Sequence, residues 1–270
     1  MKALDFEYDG LNLSNFGCII CTFDSTGQNS VSMGAVITFD KTYIRGSKKF
    51  LQNGISYESC LEAEFYICKN PCHITDDKEM YFSIDEQREL MRWLNRGEYL
   101  KFKPLDDEYG NIYYEGSFYN IEKVEFSGEV IGLHLYLTTN SPFAFSEAET
   151  YCFNILSADG SYVILDSSDD IGYTYADIAI TCKKAGTMRI TNSIDNRTTE
   201  IKNCSNGETI TMKNMIIESS SNVHQATIMN DFNFQFVKIA NSYSNRVNRL
   251  TFSLPCSVIL KYTPTMKVGI

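Results

Sequence analysis

After Pro142 the sequence carries no helical pattern comparable to the one in its first half. What it carries instead is SYVILD, ADIAITCK, TMRITNS, TTEIKN, ETITMKNMIIESS, FNFQFVKIAN, NRLTFSL and SVILKYTP, short β-like runs separated by Gly, Asn, Asp and Ser. Runs of this length with turn residues between them specify an all-β sandwich or jelly roll. The change of texture occurs where the strand HLYLTT runs into Ser141-Pro142-Phe143. Pro142 sets its own φ and biases Ser141 out of the helical region, so the chain leaves the first half in a defined direction. These features predict two domains, residues 1–145 and 146–270.

The first half reads as strands with one helix. Phe6 and Tyr8 alternate before an Asp9-Gly10 turn, and CLEAEFYIC puts Leu61, Ala63, Phe65 and Ile67 on one face with Glu62 and Glu64 on the other. VSMGAVITF (31–39) is a further β-like run. The segment IRGSKKFLQNGISYES carries Gly46, Lys48, Lys49, Phe50, Asn53 and Gly54, and reads as an exposed hairpin arm rather than core. In SIDEQRELMRWLNRGEYL, Ser83 and Glu86 have the spacing of a capping box. Leu90, Met91, Trp93 and Leu94 form an apolar face, and Gly97 supplies the stop. A helix is expected from about Ile84 to Arg96.

Bulk properties narrow the function. The 270 residues suffice for two modest cores, and 43% hydrophobic with 21% charged residues is the composition of a folded protein. A net charge of −10 argues against a non-specific phosphate-binding surface, so no nucleic-acid partner is expected. MKALDFEYDG lacks the apolar stretch of a secretion signal, and no window approaches the roughly 18 apolar residues that span a bilayer. A soluble product made in the cytoplasm, with no membrane partner, is the expectation. Nine cysteines scattered over strand-like segments suggest buried thiols rather than a disulfide framework.

Chemistry is hard to find. Cys18 and Cys21 have C-x-x-C spacing, but two isoleucines separate them and no second such motif exists, so they read as strand cysteines. Cys68, Cys72 and His73, with Cys60 nearby, match no common zinc spacing. His134 falls on the face opposite Ile131, Leu133 and Leu135, solvated or against an arm, and no nucleophile–base pair can be nominated. Asp106-Asp107 and Asp169-Asp170 read as turns. No phosphate-binding glycine motif occurs. Neither a catalytic residue, a metal nor a cofactor is expected, and the protein is read as no enzyme. The aromatic cluster YGNIYYEGSFYNIEKVEF is either a set of cross-strand pairs or a protein–protein surface.

The order of these elements resembles the distal tail (Dit) family of long-tailed bacteriophages. The most specific pieces are the strand ending Thr-Thr-Asn-Ser-Pro-Phe-Ala and the helix exit W-L…G-E-Y-L-K-F. The resemblance implies a β-sandwich-like N-terminal domain with one helix that forms a ring, followed by a galectin-like jelly-roll C-terminal domain. It implies a structural tail-tip or baseplate protein in the virion. Its homo-hexameric ring would join the tail tube protein to the tail-tip hub and, in many phages, to receptor-binding proteins, leaving a channel for DNA. The arm at Gly46–Gly54 would be similar to the family's inter-subunit belt. The alternative is a sugar-binding β-sandwich module on an N-terminal mounting domain. Against it, the single tryptophan, Trp93, lies in the first-half helix, whereas sugar platforms most often use Trp.

Overall fold

In a computed structural model of the chain, residues 4–23, 34, 36–57 and 59–270 are described, Asp77 for its backbone alone. Residues 31–33 and 35 of the run Val31–Phe39, and the first three residues of the amino terminus, lie outside the described set. With 52% strand and 11% helix the protein is mainly β. It divides into two compact units: unit 1 comprises Met1–Phe145 and Met266–Ile270, and unit 2 comprises Ser146–Thr265.

Unit 1 contains β1 (Phe6–Tyr8), β2 (Leu11–Asn12), β3 (Cys18–Cys21), β4 (Ile37–Thr42), β5 (Leu51–Tyr57), β6 (Glu62–Lys69), α1 (Ile84–Leu94), β7 (Leu100–Pro104), β8 (Ile112–Phe126), β9 (Glu129–Thr139) and β10 (Ala144–Ser146). The main sheet runs antiparallel along the path β2-β1-β7-β8-β9-β6-β3, with β10 paired to β8 off that path. Tight two-residue turns make its first and longest hairpins, with Asp9 and Gly10 at φ 51° and 75° and Ser127 and Gly128 at 54° and 87°. Both residues of such a turn must take positive φ, which is why Asp-Gly and Ser-Gly stand there.

One face of this sheet is the core. Phe6 is fully buried and touches four rings, Phe65, Trp93, Phe102 and Phe118, at centroid distances of 5.3 to 5.7 Å. Helix α1 closes that core. The Ser83 hydroxyl accepts the Glu86 amide, the Glu86 carboxylate accepts the Ser83 amide at 2.7 Å, and Asp85 and Glu86 sit in the positive first turn. Leu90, Trp93 and Leu94 are buried, and the Trp93 indole donates to the Tyr8 carbonyl at 3.1 Å. The helix ends at Leu94, earlier than Arg96, with Gly97 at φ 71° three residues later. Met91 departs from the expected apolar face: it is exposed because its position turns toward solvent with Ile84.

The last five residues also depart from expectation, since they belong to unit 1 rather than to the second half. The Tyr114 and Tyr109 hydroxyls donate to the Gly269 carbonyl at 2.8 and 3.3 Å, and Ile270 is buried in the unit 1 core.

Unit 2 contains β11 (Glu149–Ile155), β12 (Gly160–Leu165), β13 (Gly172–Tyr175), β14 (Asp177–Cys182), β15 (Gly186–Asn192), β16 (Thr198–Cys204), β17 (Thr209–Lys213), β18 (Ile216–Ser219), the single-turn helices α2 (Asn222–Gln225) and α3 (Ile228–Asp231), then β19 (Lys238–Asn241), β20 (Val247–Phe252) and β21 (Cys256–Tyr262). A five-stranded sheet, β11-β21-β14-β17-β18, and a four-stranded sheet, β12-β20-β15-β16, share one core. Strict alternation supplies it: Ile178 and Ile180, Met188 and Ile190, Leu250 and Phe252, and Val258 and Leu260 all point inward. Of the run FNFQFVKIAN only the last four residues are strand, because Phe234 adopts φ 58° and breaks the extended chain.

Candidate assembly surfaces

Among the described residues, strands β4 and β5 pair only with each other, as a two-stranded sheet separate from the main one. Their connection spans residues 43–50. Gly46 takes φ 87°, and the Ser47 hydroxyl donates to the Lys49 carbonyl at 2.6 Å while accepting the Lys49 amide. Lys48, Lys49 and Phe50 therefore lie at the tip. Asn53 and Gly54 do not turn the chain: they lie within β5, next to a bulge at Asp40 and Lys41, and Asn53 donates to the Thr42 hydroxyl at 2.7 Å. Every residue from 41 to 50 is exposed. Phe39, Tyr43, Ile44, Phe50, Leu51 and Ile55 are between 48% and 64% exposed, far more apolar surface than a free hairpin tolerates. Lys41, Arg45, Lys48 and Lys49 oppose only Asp40, so the arm is basic within a chain of net charge −10.

The base of the arm is anchored. The Tyr57 ring meets the edge of Phe143 at 4.7 Å, and the Ser141 hydroxyl accepts the Phe143 amide at 3.1 Å. The Thr139 hydroxyl donates to the Ser141 carbonyl at 2.7 Å and accepts the Leu61 amide at 2.9 Å. Ser141, Pro142 and Phe143 thus form a braced bend beside the root of the hairpin.

The candidate metal residues do not converge. Cys72 and His73 are exposed in a single 3-10 turn, and Cys68 lies in β6. Among the described residues no group of three His, Cys, Asp or Glu side chains could hold a metal ion. Cys68 instead receives a hydrogen bond from Cys21, which brings its thiol down to about 7. The expectation of buried thiols needs correction for Cys60, Cys72 and Cys152, which are exposed in loops or on outward strand positions.

His134 is not solvated, its side chain being only 12% exposed. It stacks on Tyr66 and is tilted against Tyr136, each ring 4.1 Å away, and lies 3.5 Å from Glu64 and 3.9 Å from Glu122. The aromatic cluster of β8 divides between faces: Tyr114 and Phe118 are buried in the core, while Tyr119 is exposed beside Tyr136.

Unit 2 holds a buried polar cluster that the sequence did not announce. The Glu208 carboxylate meets His224 Nδ1 at 2.5 Å, accepts the Ser219 hydroxyl at 2.5 Å and the Ser205 amide at 2.6 Å, and Asp231 lies 3.6 Å from His224 Nε2. Ser219 donates to Glu208 and not to His224, so the cluster is no nucleophile–base pair; it ties α2 and α3 to β17 and β18. Burial raises the Glu208 carboxyl, but its hydrogen bonds to Ser219, Ser205 and His224 outweigh this and hold it below the ordinary carboxylate value. Its stabilisation is therefore complete above that ordinary value, roughly 4.3, and is lost as pH falls through the depressed folded value. Glu208→Gln is expected to lower the unit 2 melting temperature by roughly 10 °C at pH 7, from about 3 kcal/mol for an orphaned buried partner, and by less at pH 3. Calorimetry across that range checks it. A small cavity beside Asn192, Asp195 and Lys238 has a volume of about 10 Å³, room for one water.

The comparisons with known proteins agree on one kind of protein. Phage SPP1 Dit (gp 19.1), described as a paradigm of the hub adsorption apparatus in phages infecting Gram-positive hosts, superposes with a TM-score of 0.63 at 11% identity, covering 96% of this chain and 98% of that one. A chain of the phage P2 baseplate in its calcium-activated conformation superposes with a TM-score of 0.51 at 8% identity, covering 99% and 100%. At such identities these likenesses establish the fold. No curated protein matches the sequence. Residues 1–141 match the family of phage tail protein N-terminal domains and residues 143–262 the family of phage tail C-terminal domains. The chain, Dit-like in fold along nearly its whole length, therefore belongs to the phage tail protein family.

Proposed function

We propose that this protein is a structural, non-enzymatic subunit of the virion tail tip that self-associates head to tail into a hexameric ring. The ring joins the tail tube protein above to the tail-tip hub below, and through the hub to receptor-binding proteins, with a galectin-like unit 2 on the periphery. Synthesis takes place in the host cytoplasm. The observation that carries this reading is the β4–β5 arm, a basic hairpin with exposed aromatic and aliphatic side chains. An isolated two-stranded hairpin is at best marginally stable in water, so such an arm acquires stability by covering a partner. A head-to-tail contact repeated with a closing rotation makes a ring.

DNA must pass through the bore of such a ring without being held. Each lysine or arginine facing it would add a salt-dependent attraction for phosphate. The bore is accordingly neutral or acidic, and the 24 lysines and arginines lie mainly outside or in subunit contacts. Light scattering at rising concentration, with and without the tail tube protein, tests the reading. Growth beyond the 30.7 kDa monomer supports it; a strict monomer under every condition, tube protein included, contradicts it.

A further inference from the structure

The outer face of the unit 1 sheet, opposite the core, carries groups that water alone does not require. Register places Glu62, Glu64 and Tyr66 of β6 opposite Thr138, Tyr136 and His134 of β9, with Asn120 and Glu122 of β8 on the far side of Tyr136 and His134. Phe65, Ile67, Leu133, Leu135 and Leu137, alternating with these, are buried on the other side. The outer residues form a row of rings, Phe23, Tyr66, His134, Tyr136 and Tyr119; Phe23 covers the Tyr66 end, edge-on at 5.6 Å, and Tyr119, 56% exposed, stands 6.1 Å from Tyr136 at the open end.

Three exposed carboxylates border that row. Glu122 accepts Asn120 at 3.0 Å and the Tyr136 hydroxyl at 3.2 Å, which orients it without neutralising it. One imidazole can offset at most one of Glu62, Glu64 and Glu122, so the face keeps negative charge. His134 Nε2 is buried and, among the described residues, makes no hydrogen bond, Glu64 lying 3.5 Å away. The tip of the β4–β5 arm has the converse composition: Arg45, Lys48 and Lys49 are exposed beside Tyr43 and Phe50, whose rings meet edge to face at 5.9 Å.

We propose that the acidic aromatic face of β6, β9 and β8 on one subunit receives the basic aromatic tip of the β4–β5 arm of a second copy. The proposal rests on the self-assembly reading above and adds to it the receiving surface. Opposite charges steer the encounter and set the register. Arg45 can lie on the exposed Tyr119 ring while Lys48 and Lys49 reach the carboxylates, and Tyr43 and Phe50 exchange water for ring contacts.

Zero-length carbodiimide cross-linking of a mixture of isotopically light and heavy protein, with the tube protein as template where it is needed for assembly, tests the site. Links are expected from Lys48 or Lys49 to Glu62, Glu64 or Glu122, joining light to heavy peptides. Reversing the face (Glu64→Lys with Glu122→Lys) or the tip (Lys48→Glu with Lys49→Glu) is expected to weaken self-association at least tenfold. Mixing the two reversed proteins restores it, since in an alternating assembly each tip again meets a face of opposite sign. All four positions are exposed, so each variant keeps its fold. Undiminished assembly of either reversed protein, or links confined to other surfaces of an assembled sample, overturns this face while leaving the ring intact. Links from it to lysines of the tube protein alone also overturn it. Failure of the unaltered protein to assemble under any condition overturns the ring reading and the face with it.

Discussion

Replacing Thr38–Ser56 by a short Gly-Ser linker is expected to abolish self-association while leaving the unit 1 melting transition within a few degrees of its original position. The arm makes a sheet of its own and contributes nothing to the buried cluster of unit 1, so its loss removes no core contact. It does remove Phe39, Tyr43, Ile44, Phe50, Leu51 and Ile55, each roughly half exposed. Covering the exposed half of such side chains against a partner stabilises by roughly 1 kcal/mol each. Six of them amount to about 6 kcal/mol, or four orders of magnitude in an association constant. Sedimentation of the shortened protein is expected to give a monomer at concentrations where the intact protein associates. Equal association of both proteins would remove the arm from any interface.

Phe6→Ala is expected to have the largest effect on stability. Phe6 sits on a three-residue strand, yet its ring is shared by Phe65, Trp93, Phe102 and Phe118, which come from β6, α1, β7 and β8. Removing it leaves a void at the point where four elements meet, and those rings cannot collapse inward without parting from Phe16 and Tyr8, with which Trp93 also packs. Truncations of this kind cost about 3–5 kcal/mol, a large share of the total stability of a domain. Denaturant unfolding followed by the fluorescence of the single tryptophan, Trp93, reports on this site directly. An unchanged midpoint would mean that the aromatic cluster does not hold unit 1 together.

What the sequence made legible is what depends on neighbours in the chain. Ser83 and Glu86 meet three residues apart, and Asp9-Gly10 turns on itself, so both could be read without tertiary knowledge. The alternation in unit 2 was legible for the same reason. The hairpin between β17 and β18 was hidden because its turn is Asn214-Met215, and methionine is no signal for the positive φ of 59° that it adopts. Strand β11 is missing from the runs read in the sequence, because it starts with polar Glu149 and Thr150 directly after the junction. His134 was assigned its correct face, but its ring partners come from β6 and from two residues along β9, and only the register brings Tyr66 beside it. Glu208 and His224 lie 16 residues apart across a hairpin and a helical turn, a distance at which neither periodicity nor motif speaks. The arm was legible as an arm through Gly46, Lys48 and Lys49. Its true turn was not, because Asn53-Gly54 carries the stronger turn chemistry and a bulge absorbs it instead.

The proposed function requires this phage tail protein to close into a ring through its arm. Negative-stain electron microscopy of the protein mixed with its tail tube protein, with the shortened-arm variant alongside, tests it most directly. Class averages of a six-membered ring with an open bore are expected for the intact protein and none for the variant. Rings formed equally well without the arm, or tubes that end with only single copies of this protein attached, would contradict it.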